Sequence, residues 1–339
     1  MPSNDIGIDL GTATILIYDS RMELLLCEPS VVAYDTQTGK VLAVGKEAHQ
    51  MLGRTPDRIR AAMPLSDGVI SDFDMTTEMI THFIRRIYAN NLIKPRVIVC
   101  VPSGVTEVES DAVVSAAVAA GARKVYLVEE PVAAALGAGI DISRPEGHMI
   151  VDIGGGTTDI AVLSLNGIVC KSSLRVAGRH FDRCIVRAVQ LRHGLLIGER
   201  MAEQAKIACA SVCYDPSEER AAEVKGRDLR TGLPGRIALQ RAEFAAALAE
   251  PVEQIVEAVK KILEITPPEL AADLHENGIV LTGGGSLLHG LDALLSRETH
   301  LPVHRAEAPT ECVARGTAMA FRYLDTLSDG FVHTSAYAH

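Results

Sequence analysis

The chain has no surplus of positive charge; its formal net charge is −10 at pH 7. Without spare lysine and arginine it cannot neutralise a run of phosphates. That excludes a general nucleic-acid binder, though not a local basic patch. A long apolar run is also missing, since no stretch approaches the roughly 20 residues a spanning helix needs. The opening Met1-Pro2-Ser3-Asn4-Asp5 has neither a charged n-region nor an apolar h-region, so no signal peptide is expected. The seven cysteines include no CxxC pair, and most lie in apolar patterns where a thiol packs as a small core residue. Cys209 and Cys213 read as neighbours on one helix face. A reducing cytoplasm is the expected setting.

What remains is an ordinary globular balance: 339 residues, 47% hydrophobic and 22% charged, enough for about two domains with separate cores. Strands are expected at Ile6 to Leu10, Thr14 to Tyr18 and Met22 to Leu26, and a small insert with its own turn at about 32–63. A helix follows from Met75 to Asn91, then a buried strand from Arg96 to Val101. Thr106 with Glu109 three residues on is a capping-box start, and Gly121 a stop, for the next helix. A strand from Lys124 and a helix to Gly137 complete a parallel α/β run.

The pattern then restarts. Met149 to Ile153 opens a second set of strands, and helices are expected at Phe181 to Arg192, Glu199 to Ala210 and Arg241 to Glu264. Weak strands flank a loop at 226–235, suggesting a second insert. A helix from Ser286 to Leu295 and a last helix from Val313 to Leu327 precede a tail that reads as frayed beyond Gly330.

Two turns carry the chemistry. The first is Asp9-Leu10-Gly11-Thr12-Ala13-Thr14; the second is Asp152-Ile153-Gly154-Gly155-Gly156-Thr157-Thr158-Asp159. Each follows an apolar strand and precedes another. Glycines allow close backbone approach to a ligand, and successive free N–H groups form an anion-binding concavity. An aspartate at each strand end suits Mg²⁺, which keeps most of its water and takes one or two carboxylates. A single such turn is more simply a hairpin; two, each led by aspartate, are hard to explain that way. Neither is a Walker A loop or a dinucleotide fingerprint. A third glycine run, Gly283-Gly284-Gly285, follows a strand and is expected to open a helix, where a base or ribose can lie against backbone. Glu129-Glu130-Pro131 ends a strand and starts a helix. Acidic residues there favour the helix terminus in any case, but Glu130 also suits a carboxylate that orients an attacking water.

Together these motifs resemble the actin, sugar-kinase and heat-shock-chaperone ATPase superfamily. Stretches such as Glu28 to Ala33, Pro64 to Ile70, Glu129 to Gly139 and Cys312 to Gly316 resemble the MreB family of bacterial actins, over about 6–324. The resemblance implies an α/β actin-like fold: two similar domains with mixed sheets flanking a nucleotide cleft, each with a smaller inserted subdomain. The first half would be 1–139 plus 310–339, with its insert at about 32–65. The second would be 140–309, with its insert at about 181–241. It implies an ATPase that uses ATP and Mg²⁺, polymerises with itself as paired protofilaments on the inner face of the cytoplasmic membrane, and guides the cell-wall elongation machinery and rod shape.

Residue by residue, Gly11, Thr12 and Ala13 match the first phosphate turn, and Gly154, Gly155, Gly156, Thr157 and Thr158 the second. Asp9 and Asp152 match the metal side. Glu130 matches the water-positioning carboxylate, with Thr157 as its helper. Glu203 and Lys206 match the pair at ribose and base, and Gly283, Gly284 and Gly285 the adenosine turn. The family commonly has asparagine where Thr14 stands and an acidic residue where Arg179 stands. Leu92 and Ile93, flanked by polar and cationic residues, match an apolar membrane loop, and Val108 matches a protofilament-pairing contact. The alternatives are an actin-fold small-molecule kinase, which would need a base for the acceptor hydroxyl, and a chaperone ATPase module, which would need a peptide-binding domain.

Overall fold

Runs with apolar side chains at nearly every position form strands covered on both faces, as at Ile6–Leu10, Arg96–Val101 and His148–Ile153. The computed structural model describes residues 5–66, 68–88, 94–213, 215, 217, 219–324 and 331–332. In it two sheets repeat one plan. The first runs in the order Phe331–Val332, Lys124–Glu129, Arg96–Val101, Ile6–Leu10, Thr14–Asp19, Leu24–Pro29. The second runs Gly167–Leu174, Thr158–Ser164, His148–Ile153, Ile279–Thr282, Val303–Arg305. Each has a central strand paired antiparallel to the strand after the glycine turn and parallel to a strand reached by a crossover. The register sets Asp9 opposite Leu16 and Asp152 opposite Asp159.

Two smaller three-stranded sheets accompany the large ones. Val41–Val44, Val32–Asp35 and Ile59–Ala62 form a small sheet over a core of Val31, Ala33 and Ala48. Leu195–Leu196, Ala221–Asp228 and Pro234–Gln240 form the other, beside the helix Glu199–Cys209. Between the two large sheets lie the helices Glu130–Gly137 and Cys312–Met319. Their core joins Ile98 and Tyr126 of one sheet to Ile150 and Leu163 of the other. They approach so closely that a Cβ at Gly316 would lie 1.7 Å from the Ala133 carbonyl oxygen, and one at Gly137 1.8 Å from that of Cys312. Only glycine allows that contact.

Several expectations are corrected. The third glycine run opens a 3-10 turn, Gly284–Leu287, not a long helix; the α-helix begins at Leu291, after Gly290 takes a left-handed φ of 81°. The last helix stops at Met319 and tightens to a 3-10 turn over Ala320–Arg322. Phe331–Val332 is not frayed but pairs with Leu127 and Val128. Met22 adopts a φ of 70°, so its strand starts later, at Leu24. The strands of the second insert run through Gly226 and Gly235 and leave only residues 229–233 as the tip. Cys213 lies beyond the helix that ends at Cys209, in a segment tied to His289, so the two cysteines share no helix face. The helix Pro268–Asn277 and the hairpin Leu65–Ser66/Val69–Ile70 were not evident from sequence pattern.

Candidate functional site

The cleft between the halves is lined by both Asp-led turns, Glu130, Glu203, Lys206 and the third glycine run. The turns touch each other: a Cβ on Gly155 would lie 2.9 Å from that of Ala13. The hairpin at 65–70 closes one side, with the Gly68 amide donating to Thr12 Oγ1 at 3.0 Å and Gly68 close against the Thr157 methyl. Gly68 has a φ of 80°, a conformation and a space that only glycine meets without strain. Gly68 thus bonds Thr12 and packs beside Thr157.

Behind the turns sit four carboxylates, Asp152 and Asp159 buried and Asp9 and Glu130 half-buried at the cleft. Asp9 Oδ1 accepts from the Cys100 thiol at 3.3 Å, and Asp152 Oδ1 from the Thr282 hydroxyl at 2.6 Å. The Ser103 amide donates to Asp159 Oδ1 at 2.8 Å, and the Thr157 hydroxyl points at Glu130 Oε2 across 3.5 Å. Burial pushes Asp9 up to about 6 against the pull of the Cys100 hydrogen bond. Burial likewise raises Asp152 to about 7, opposed by the Thr282 hydroxyl and reinforced by the charges of Asp159 and Asp9. Burial, and then the charges of Asp159, Asp152 and Asp9, hold Glu130 well above the usual carboxylate range. Asp159 is raised by burial, with the Ser103 amide opposing.

So much acid in one place suits a cation. Among the described residues no three His, Cys, Asp or Glu side chains converge as a direct metal cage. A cation that keeps its own waters, as Mg²⁺ does, needs no such cage, and Asp9 and Asp152 are the carboxylates that would hold it. A divalent charge there would also lower Glu130 toward its ionised, water-orienting form.

The two adjacent glutamates separate cleanly. Glu129 receives both bonds from Lys171 Nζ of the other half, at 2.7 and 2.8 Å, and is structural. Glu130, first in its helix, faces the cleft. Lys206 is less free than expected. Its ammonium donates to the Gly178 carbonyl at 2.9 Å and pairs with Asp182 at 2.8 Å, bracing two helices while its neighbour Glu203 lines the cleft. Burial pushes Asp182 up to about 6 even with Lys206 beside it. The glycines of the third run have a packing cause as well: Cβ atoms at Gly283 and Gly285 would meet Ile153 at 2.3 Å, while Gly284 has room. Thr14 opens its strand and lines the cleft mouth, and Thr158 is turned away, its hydroxyl bonded to the Val176 carbonyl at 2.6 Å. Val108 stands 79% exposed in the first turn of the helix Glu107–Ala119, whose capping box forms as expected. Leu92 and Ile93 lie outside the described residues.

A family model described as MreB/Mbl protein matches residues 3–329. The chain belongs to the MreB/Mbl family. Its relatives include the cell shape-determining protein Mbl of Bacillus subtilis (strain 168), 50% identical over 328 residues, which are 96% of this chain and 98% of that protein. Among solved structures, MreB 5 of Spiroplasma citri bound to AMPPNP is similar with a TM-score of 0.89 and 39% identity, covering 94% of this chain and 96% of that one. A MamK double helical filament is similar with a TM-score of 0.78 and 25% identity, covering 94% and 98%. The actin-like fold of the MreB/Mbl family thus accounts for the doubled sheet plan.

Sequence reading passed over Asp159, Cys100, Ser103 and Thr282, which hold or charge the site. Asp159 had a signal, as the closing residue of the second turn. The others are brought in by sheet neighbours far along the chain.

Proposed function

We propose that this MreB/Mbl family member is a filament subunit that binds ATP with Mg²⁺ between its halves and hydrolyses it. The observation that carries the reading is the contact of the two phosphate turns at Ala13 and Gly155, with Glu130 and its helper Thr157 between them. Backbone N–H groups from both halves would grip one polyphosphate, so the nucleotide sets how closely the halves approach. Asp9 and Asp152 hold the hydrated metal, and Glu130 orients the water that attacks the γ-phosphate. Glu203 and Gly284 receive the ribose and base, and Lys206, tied to Asp182 and the Gly178 carbonyl, braces the wall beside them. The AMPPNP bound to the Spiroplasma relative supports the ligand, and the MamK filament supports assembly.

Assembly on the inner face of the cytoplasmic membrane, through Leu92 and Ile93, and guidance of cell-wall synthesis complete the proposal. The attachment proposed is of the surface kind, and no helix among the described residues is long and apolar enough to cross a membrane. Two apolar side chains hold weakly, and repetition along a filament multiplies them. The test is pelleting and phosphate release with ATP and Mg²⁺, beside a screen of sugar acceptors. Polymer and free phosphate are expected. Acceptor phosphorylation without polymer would instead identify a small-molecule kinase.

A further inference from the structure

Arg179 lines the cleft at the start of the helix Gly178–His193. Its backbone belongs to the second phosphate turn: the Arg179 amide donates to the Gly155 carbonyl at 2.9 Å and the preceding Gly178 amide to that of Gly154 at 3.1 Å. Its side chain is 21% exposed, yet Nε and Nη1 are buried without a hydrogen-bond partner. The nearest carboxylate oxygen, on Glu199, is 3.9 Å from Nη2, and Glu199 is itself 53% exposed. A solvated pair at that distance contributes little and does not satisfy the two inner nitrogens. Buried guanidinium N–H groups left unpaired are costly, so a fork in this position suits an oxyanion.

Other cations line the cleft: Arg241 donates Nε to the Cys209 carbonyl at 3.1 Å, and Arg220 stands exposed to solvent. Lys206 is taken by Asp182 and the Gly178 carbonyl. Arg179 differs in having two unpartnered donors on a backbone rooted in the phosphate turn.

We propose that Arg179 is a nucleotide-binding residue of this chain, donating Nε and Nη1 to phosphate oxygens shared by nucleoside di- and triphosphates, with Glu199 competing for the same guanidinium. The assignment rests on the nucleotide reading of the cleft and goes beyond it in naming which side chain recognises the phosphate charge. Because both nucleotides carry the contacted group, the interaction is uniform: it sets affinity and product retention rather than the hydrolytic step.

The test is calorimetric titration of the full chain with Mg-ATP, Mg-ADP and adenosine, on wild type, Arg179→Gln, Arg179→Lys, Glu199→Gln and the Arg179→Gln/Glu199→Gln pair. Arg179→Gln is expected to weaken ATP and ADP alike by about tenfold, the loss of a charge-assisted hydrogen bond, and to leave adenosine unchanged. Arg179→Lys should recover part of that loss, since it keeps the charge without the fork. Glu199→Gln should tighten ATP binding, and only while Arg179 is present. An equal loss for adenosine and ATP, or no loss at all, would overturn the assignment. A gain from Glu199→Gln in the Arg179→Gln background would overturn the competition. Wild type that bound neither ATP nor ADP would overturn the nucleotide reading and this assignment with it.

Discussion

The first phosphate turn and the second are built on the same strand-end plan, but they are held differently. Gly11 is fixed by the Ser30 hydroxyl on its carbonyl, and Thr12 by the amide of Gly68, so the first turn hangs from a neighbouring strand end and a two-stranded hairpin. The second turn is held by its own sheet and by a helix start. Gly154 bonds to Thr157, Gly178 to Gly154, Arg179 to Gly155, and Thr282 fixes Asp152. One wall of the cleft is thus tied to a small appendage and the other to a large core. A ligand that pulls the walls together should move the first turn more than the second.

The largest effect should come from the group between the walls. Glu130→Gln removes a carboxylate and keeps its shape; phosphate release should fall on the order of a hundredfold while ATP still binds. An unchanged release rate would remove Glu130 from the chemistry.

The next effect compares the walls directly. Gly155→Ala puts a methyl 2.9 Å from the Ala13 Cβ across the cleft, whereas Gly11→Ala puts one 2.5 Å from the Thr14 carbonyl oxygen inside its own turn. Gly155→Ala should weaken ATP by about tenfold with little change in Tm, since it opposes closure rather than folding. Gly11→Ala should lower Tm as well. Equal losses of Tm would break the comparison.

Asp152 sharpens it through pH. Its carboxyl titrates near 7 in the fold against 3.8 ordinarily, so the folded form binds the proton more tightly than the unfolded one. Stability is then fully present below the ordinary value and is lost as pH rises through about 7. Asp152→Asn should raise the Tm of nucleotide-free protein by a few degrees at pH 8 and by less at pH 5. With Mg-ATP the order should reverse, because the carboxylate then has its cation. A gain independent of pH would exclude this origin.

Two substitutions on the first half should leave the cleft nearly untouched. Leu92→Ser with Ile93→Ser should abolish co-sedimentation with liposomes while pelleting with ATP persists; retained liposome binding would exclude the loop. Val108→Glu should unpair filaments seen by negative stain without altering ATP affinity, and intact pairs would exclude that contact.

Much of this was legible in the chain. Ile6–Leu10 and Arg96–Val101 announce themselves because both faces are buried and nearly every side chain is apolar. The helix Glu107–Ala119 is marked by Thr106 and Glu109, whose mutual bonds are local. The aspartates and Glu130 could be picked out because their motifs are contiguous. What could not be read depends on distance along the chain or on shortness. The strand Val303–Arg305 has only three residues, too few to show a period. The role of Asp159 depends on Ser103, 56 positions away, and that of Asp152 on Thr282, 130 away. Gly290 bends the chain by its φ alone, which no hydrophobic pattern records.

The helix Cys312–Met319 lies across the first strand so closely that a Cβ at Gly7 would meet the Ala318 backbone nitrogen at 2.4 Å. That contact joins the first strand to a helix far along the chain. The second sheet is contiguous between His148 and Arg305 and can be completed as it leaves the ribosome. The first half begins the chain, but the strand that carries Asp9 is covered only once Cys312–Met319 has been made. A product truncated before Cys312 would own a finished second sheet and a first whose opening strand lay uncovered.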